Sequence, residues 1–226
     1  MCGRYALYGP HSRLRERFQL DEAVDVSPRY NIAPTTPVLI VRQEPQGRRV
    51  GALHRWGLLP PWAKDRSLAG KLINARAETV AEKPAFRSAF RRARCLIPAS
   101  GFYEWQAVHV GGRLVKQPFF VRAPEDDQWL AFAGLMERWV SPEGEEVHSC
   151  CIITTEANAR MATIHDRMPV ILHPDCFAAW LDPTHHQTAE LQALLRPCPN
   201  EDLIVYPVSR AVNSTRVDSP DLIAPV

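Results

Sequence analysis

Phe102-Tyr-Glu-Trp-Gln-Ala-Val-His-Val110, then Gly111-Gly112, then Arg113-Leu-Val-Lys-Gln-Pro-Phe-Phe-Val121 is the stretch of this 226-residue chain that decides its fold. Two runs rich in β-branched and aromatic residues flank a glycine pair. Glycine reaches positive φ without steric cost, so the pair reads as the tight turn of an antiparallel hairpin. Outward from it, strand-like runs cover Val38–Arg42, Arg49–Trp56, Gln128–Leu135, Glu146–Thr154 and Leu203–Val208. Helix-like runs are His11–Leu20, Glu78–Arg94 (interrupted by Pro84), Glu156–Ile164, Pro174–Leu181 and Gln187–Arg196. Strands outnumber helices, and the two do not alternate regularly. This predicts an α+β fold over residues 1–226 as one domain. Its sheet is mostly antiparallel and partly closed into a barrel, with short peripheral helices.

The composition agrees with that reading. At 46% hydrophobic and 23% charged, the chain has enough apolar material for a core, which excludes fibrous and disordered classes. The 20 prolines run from Pro10 to Pro225 and cut the chain into short elements, excluding a long-helix bundle or coiled coil. No apolar run approaches a membrane span, and the start, Met-Cys-Gly-Arg-Tyr-Ala-Leu-Tyr, has no signal-peptide core. The expected location is the cytoplasm, with nucleoid association if the source is bacterial. Disulfides are not expected there. Cys2, Cys95, Cys150, Cys151, Cys176 and Cys198 lack C-x-x-C spacing, so no metal is expected, and Cys150 and Cys151 read as core. No phosphate-binding glycine loop or dinucleotide fingerprint is present, so no cofactor is expected.

The net charge of +2 conceals an asymmetry. Residues 1–100 carry 18 Lys+Arg against 8 Asp+Glu, a balance of +10, and residues 101–226 carry 9 against 17, a balance of −8. Only Lys64, Lys71, Lys83 and Lys116 are lysines. An arginine-dominated half suits phosphate recognition, because the guanidinium fork binds phosphate bidentately, although genome base composition also favours arginine codons.

Cys2 carries the most specific chemistry. Removal of Met1 leaves an α-amine and a thiol on adjacent carbons, with reference pKa values of about 7.7–8.0 and about 8.5. The amine attacks an aldehyde to give a Schiff base, and the thiol then closes a five-membered thiazolidine, a step favoured by proximity. The same opening residues also suit an N-terminal cysteine amidohydrolase or peptidase, in which the thiol attacks an amide.

Later segments separate these readings. They are Tyr30-Asn-Ile-Ala-Pro34, Trp56-Gly-Leu-Leu-Pro-Pro-Trp62, Asn74-Ala-Arg-Ala-Glu78, Arg92-Ala-Arg-Cys-Leu-Ile-Pro-Ala-Ser-Gly-Phe-Tyr-Glu-Trp105, Ile164-His-Asp-Arg-Met-Pro-Val170 and Val208-Ser-Arg-Ala-Val-Asn213. With Met-Cys-Gly-Arg-Tyr at the start, the set closely resembles the SRAP family of abasic-site processing proteins over nearly the whole chain. The resemblance implies a partner, single-stranded DNA containing abasic sites, and a covalent cross-link through Cys2. It also implies possible lyase-type cleavage and the peptidase-like N-terminal autoprocessing from which the family takes its older name.

The resemblance assigns roles that residue chemistry supports. Glu104 is flanked by Tyr103 and Trp105, which strand alternation turns to the opposite face, and it is the candidate general acid or base. His165 is the second proton-transfer group, since imidazole titrates near neutral pH. Asn74 holds cysteine and sugar in register through an amide that both donates and accepts. Arg4, Arg76 and Arg167 lie inside the motifs and are assigned to DNA phosphates. Trp105 and Trp62 are candidates for stacking on bases. The Arg87, Arg91, Arg92, Arg94 group reads as a solvated helix face, and His185-His186 as exposed. A monomer is expected.

Overall fold

The computed structural model describes residues 2–125 and 128–226. Twelve strands, numbered along the chain, form two sheets. The first contains β1 (Tyr5–Leu7), β2 (Arg29–Ile32), β7 (Gly101–Val110), β8 (Arg113–Arg122) and β12 (Ile204–Pro207), in the order β12-β8-β7-β1-β2. The second contains β3 (Pro37–Gln43), β4 (Arg49–Trp56), β5 (Asn74–Arg76), β6 (Arg94–Ala99), β9 (Leu130–Val140), β10 (Glu146–Glu156) and β11 (Arg167–Pro169). Its order is β11-β10-β4-β3-β6-β9, with β5 beside β10. Because β9 also pairs β10, from Val140↔Glu146 to Gly134↔Ile152, the strands β10, β4, β3, β6 and β9 close into a ring. The pairs are antiparallel except β10 with β4 and with β5. The expected α+β architecture with a barrel-like sheet is what forms.

The opening hairpin is β7–β8, in register from Phe102↔Val121 to Val110↔Arg113. Gly111 and Gly112 have φ of 57° and 77°, the left-handed pair that a two-residue hairpin turn demands. At the strand's other end, a Cβ on Gly101 would stand 2.4 Å from Phe120 Cζ and 2.7 Å from the Val121 oxygen. Glycine there lets β7 lie close against β8.

The two sheets share one core. Tyr5 on β1 meets Trp56 on β4 and Phe132 on β9 edge-on at 5.4 and 5.9 Å, and Phe102 meets Phe132 at 5.9 Å. Cys95, Cys150 and Cys151 are buried, as read for the last two, and burial raises all three thiol pKa values. Among the described residues no helix is long and apolar enough to cross a membrane.

The helices are shorter than the sequence suggests: α1 (His11–Phe18), α2 (Arg87–Arg92), α3 (Phe177–Leu181) and α4 (Thr188–Ala193). The expected helix over 78–94 survives only as α2, because turns occupy the residues around Pro84 and Arg94 enters β6. The expected helix over 156–164 is a single 3-10 turn, Met161–Thr163, because β10 extends to Glu156 and the Asn158 side chain accepts from the Met161 N–H.

Arg94 also corrects an expectation. It is 3% exposed and donates to the carbonyls of Phe90, Arg91, Trp180, Asp182 and His185. One guanidinium thus satisfies the carbonyl ends of α2 and α3, groups that a helix cannot satisfy itself. Burial lowers its pKa to about 10. His185 is likewise half-buried against Glu190, and only His186 is exposed.

Candidate active site around Cys2

The N-terminal segment is threaded between β7 and β2. The Arg4 carbonyl accepts from the Tyr103 N–H at 2.9 Å and the Ala6 carbonyl from the Ser100 N–H at 2.8 Å. Tyr5 pairs with Ile32 on one side and Phe102 on the other. These bonds fix Cys2, fully buried, just ahead of β1. Burial pushes its thiol pKa well up, the neighbouring Glu104 carboxylate adds to the rise, and the Arg4 N–H opposes it.

Asn74 opens β5, which runs parallel to β10 with Asn74 opposite Ile152. Its Nδ2 donates to the Cys2 carbonyl at 2.9 Å. That contact requires the amide nitrogen on this side and so fixes the orientation of the side chain. Oδ1 is then turned away, buried and without a hydrogen-bond partner among the described residues. An unsatisfied buried acceptor is costly, and one beside the candidate nucleophile is a place for an incoming donor.

Glu104 is 2% exposed. Its neighbour Tyr103 belongs to a separate apolar cluster with Ala6, Phe120, Val208, Val212 and Leu222, against which Trp105 packs. Burial raises the Glu104 carboxyl pKa, and His165 pulls it the other way. His165 follows the Met161–Thr163 turn and its N–H donates to the Met161 carbonyl at 2.9 Å. Gln106 Nε2 donates to the Thr163 carbonyl at 2.6 Å, tying this loop to the strand that carries Glu104.

The His165 ring has two alternative bonds at one nitrogen. Nδ1 lies 3.0 Å from the Arg167 N–H and 2.9 Å from Asp166 Oδ1. A neutral ring accepts from Arg167 at Nδ1 and carries its proton on Nε2, whereas the imidazolium donates from Nδ1 to Asp166. Either protonation state therefore has a partner ready.

Glu104, Trp105, Lys116, His165 and Asn213 line an open cleft of about 360 Å³. Trp105 Nε1 donates to Asn213 Oδ1 at 2.7 Å across one wall. The structure thus gathers Cys2, Asn74, Glu104, His165 and Trp105 from separate parts of the chain. The other expected residues stand elsewhere or are engaged. Arg4 Nη1 donates to Asn31 Oδ1 at 2.7 Å and to the Val212 carbonyl at 2.9 Å. Arg167, 14% exposed, forms a bidentate pair with Glu78 at 2.6 and 2.9 Å and also bonds the Thr154 carbonyl. Arg76 is exposed on β5. Trp62, 59% exposed, lines a different groove with Pro60, Pro61, Pro84, Arg87 and Arg92. Among the described residues no group of three His, Cys, Asp or Glu is placed to hold a metal.

Sequence reasoning missed Lys116 and Gln106 and gave Asn213 no role. Gln106 had a signal, since it lies two residues after Glu104 on the same strand face. Lys116 had one only through the hairpin register, which sets it opposite Ala107.

Comparison with known proteins matches this chain to a family. The family model SOS response associated peptidase (SRAP) matches residues 1–215. The abasic site processing protein YoqW of Bacillus subtilis (strain 168) is 42% identical over 226 residues, covering 99% of each chain. The abasic site processing protein HMCES of Gallus gallus is 34% identical over 268 residues, covering 100% of this chain and 78% of its own. A crystal structure of a Bacteroides thetaiotaomicron protein superposes with a TM-score of 0.85 at 25% identity, covering 100% of both chains. A family match over almost the full length, with two relatives above the level at which fold and family coincide, means that this chain belongs to the SRAP family.

Proposed function

We propose that this protein captures abasic sites in single-stranded DNA as a covalent thiazolidine at Cys2, acting as a single-domain monomer. The reading rests on one arrangement: Asn74 holds the Cys2 carbonyl at 2.9 Å, and the buried Glu104 carboxyl opens with His165 onto a cleft. An abasic deoxyribose is a latent aldehyde, held mostly as a ring hemiacetal. Proton transfer to the ring oxygen opens it. The Cys2 α-amine, freed by loss of Met1, adds to C1′, and the carbinolamine loses one water to give a protonated imine. The thiol sulfur then bonds C1′ as its proton passes to a base, closing the five-membered ring. Met1 lies outside the described residues.

Glu104 suits the acid steps, because burial keeps its carboxyl protonated further towards neutral pH than an exposed glutamate. Once ionised, it accepts the thiol proton. His165 offers a second relay towards the sugar hydroxyl or 3′-phosphate. The free Asn74 Oδ1 accepts from the α-amine or the sugar hydroxyl. Arg76 and Trp105 contact the strand flanking the lesion, and Trp62 stacks further out. An imine that fails to close is the branch point to lyase cleavage by β-elimination. A thiol whose pKa is raised by burial supports this order over the peptidase alternative, which needs a ready thiolate.

The test is a denaturing gel after incubation with a single-stranded oligonucleotide bearing one abasic site, alongside intact-mass measurement. A heat-stable shifted band that Cys2→Ala abolishes, on protein lacking Met1, is the expected result. No covalent species from such protein would refute the proposal.

A further inference from the structure

We infer that Lys116 is the phosphate anchor of the cleft, holding the backbone of the DNA strand beside the lesion; this rests on the function proposed above. The candidate arginines direct the argument. Arg4 spends its guanidinium on Asn31 and the Val212 carbonyl, and Arg167 spends its fork on Glu78 and Thr154. Both guanidinium groups are engaged by other parts of the protein, and Arg76, though exposed, is not among the residues lining the cleft. Lys116 is the one Lys or Arg lining the Glu104–His165 cleft among the described residues. It is exposed on β8, opposite Ala107, three hairpin positions from the pair Glu104↔Phe119. No ion pair to a described carboxylate occupies its ammonium group.

A strand entering this cleft brings a phosphate on either side of the reacting sugar, against a wall that already holds the buried Glu104 carboxyl. An unneutralised phosphate there would be repelled once that carboxyl ionised. A lysine on a flexible stem, acting as a point charge, follows a phosphodiester whose position shifts as the sugar opens, which a planar fork does less well. The same contact is independent of base identity, as recognition of a site that lacks a base requires. Lys116 acts on capture of the strand, not on bond making at C1′.

The experiment measures the rate of denaturant-resistant adduct formation against the concentration of a single-stranded abasic oligonucleotide, at several salt concentrations. Wild type is compared with Lys116→Ala, Lys116→Arg and Lys116→Glu. Lys116→Ala is expected to raise the half-saturating DNA concentration several-fold, leave the saturating rate within about twofold, and reduce the log–log salt slope by about 0.7, the share of one phosphate contact on a single strand. Arginine is expected to restore most of the loss, and glutamate to deepen it. An unchanged half-saturating concentration and salt slope in Lys116→Ala would overturn the inference. So would a lowered saturating rate at unchanged half-saturation, which would place Lys116 in the chemistry. Failure of wild type to form any adduct would instead refute the proposed function.

Discussion

Replacing Asn74 by alanine separates a catalytic role from a structural one, because the structural consequences oppose each other. The substitution removes the Nδ2 bond to the Cys2 carbonyl, a net loss of roughly 0.5–1.5 kcal/mol. It also removes Oδ1, a buried acceptor without a partner, whose unmet desolvation costs roughly 1–3 kcal/mol. The Cys2 carbonyl left behind takes back part of that relief. The terms nearly cancel, so Asn74→Ala is expected to melt within a few degrees of wild type. Its effect on chemistry has no such compensation. Cys2 loses one of the contacts that hold its backbone, and the amine or hydroxyl loses its acceptor. Misplacement of a reacting group by about 1 Å costs on the order of 100-fold.

Thermal melting and single-turnover adduct formation, measured on the same preparation, check this directly. A drop of at least tenfold in the saturating rate with an unchanged melting temperature is expected. Equal rates for Asn74→Ala and wild type would refute the reasoning. A melting temperature lowered by about 10 °C or more would show that Asn74 serves the fold instead. Asn74→Asp adds a finer control: Oδ1 is kept, Nδ2 becomes an oxygen that faces the Cys2 carbonyl, and the rate is expected to fall further than with alanine.

Glu104→Gln is expected to slow adduct formation by roughly 10²–10⁴-fold, the usual span of general acid–base catalysis, and to flatten the pH–rate profile measured from pH 5 to 9. The same variant reverses sign in stability. A carboxyl whose folded pKa is raised binds more proton folded than unfolded, so wild-type stability falls as pH rises above the ordinary carboxylate range. Glutamine loses nothing there, and Glu104→Gln is expected to melt with wild type near pH 4 and above it at pH 7. Arg94→Ala removes five hydrogen bonds to carbonyls at and just beyond two helix ends and is expected to cost on the order of 3 kcal/mol or more in urea unfolding, with lysine restoring little of it.

The hairpin was legible because two signals coincide over twenty residues: a glycine pair and flanking runs of strand formers. The barrel strands β3, β4, β9 and β10 were legible as strand-like runs, whereas β6, which starts where a helix was expected to end, was not. The three-residue strands β1, β5 and β11 were not, since each is shorter than any periodicity can reveal and exists only because a neighbour offers a ladder. Those short strands carry the site: β1 follows Cys2, β5 begins at Asn74, and β11 begins at Arg167. Resemblance supplied the residues of the cluster, but topology brings them together. The arginines show the limit from the other side. A guanidinium fork fits a carboxylate as well as a phosphate. Arg167 and its partner Glu78 both stood inside quoted motifs, and only β5 and β11 flanking β10 joins them.

Burial of Cys2 poses a kinetic question that the proposed order of steps answers. A thiol with a raised pKa holds very little thiolate at neutral pH, which weakens it against any electrophile arriving from solution. For the proposed single-use cross-link this is protective, because oxidants and stray electrophiles also need thiolate. The thiol meets a different reaction once the adjacent amine has become an imine. The electrophilic carbon is then held within ring-closing distance, and effective molarities on the order of 10⁵–10⁸ M are available to a well-oriented intramolecular attack. That proximity offsets the scarcity of thiolate. In the proposed order Glu104, ionised by the acid step, would supply a local base for the departing proton. Under the proposed mechanism, a thiol weak in solution and fast beside its own imine would make the cross-link selective for aldehydes that the amine has already captured.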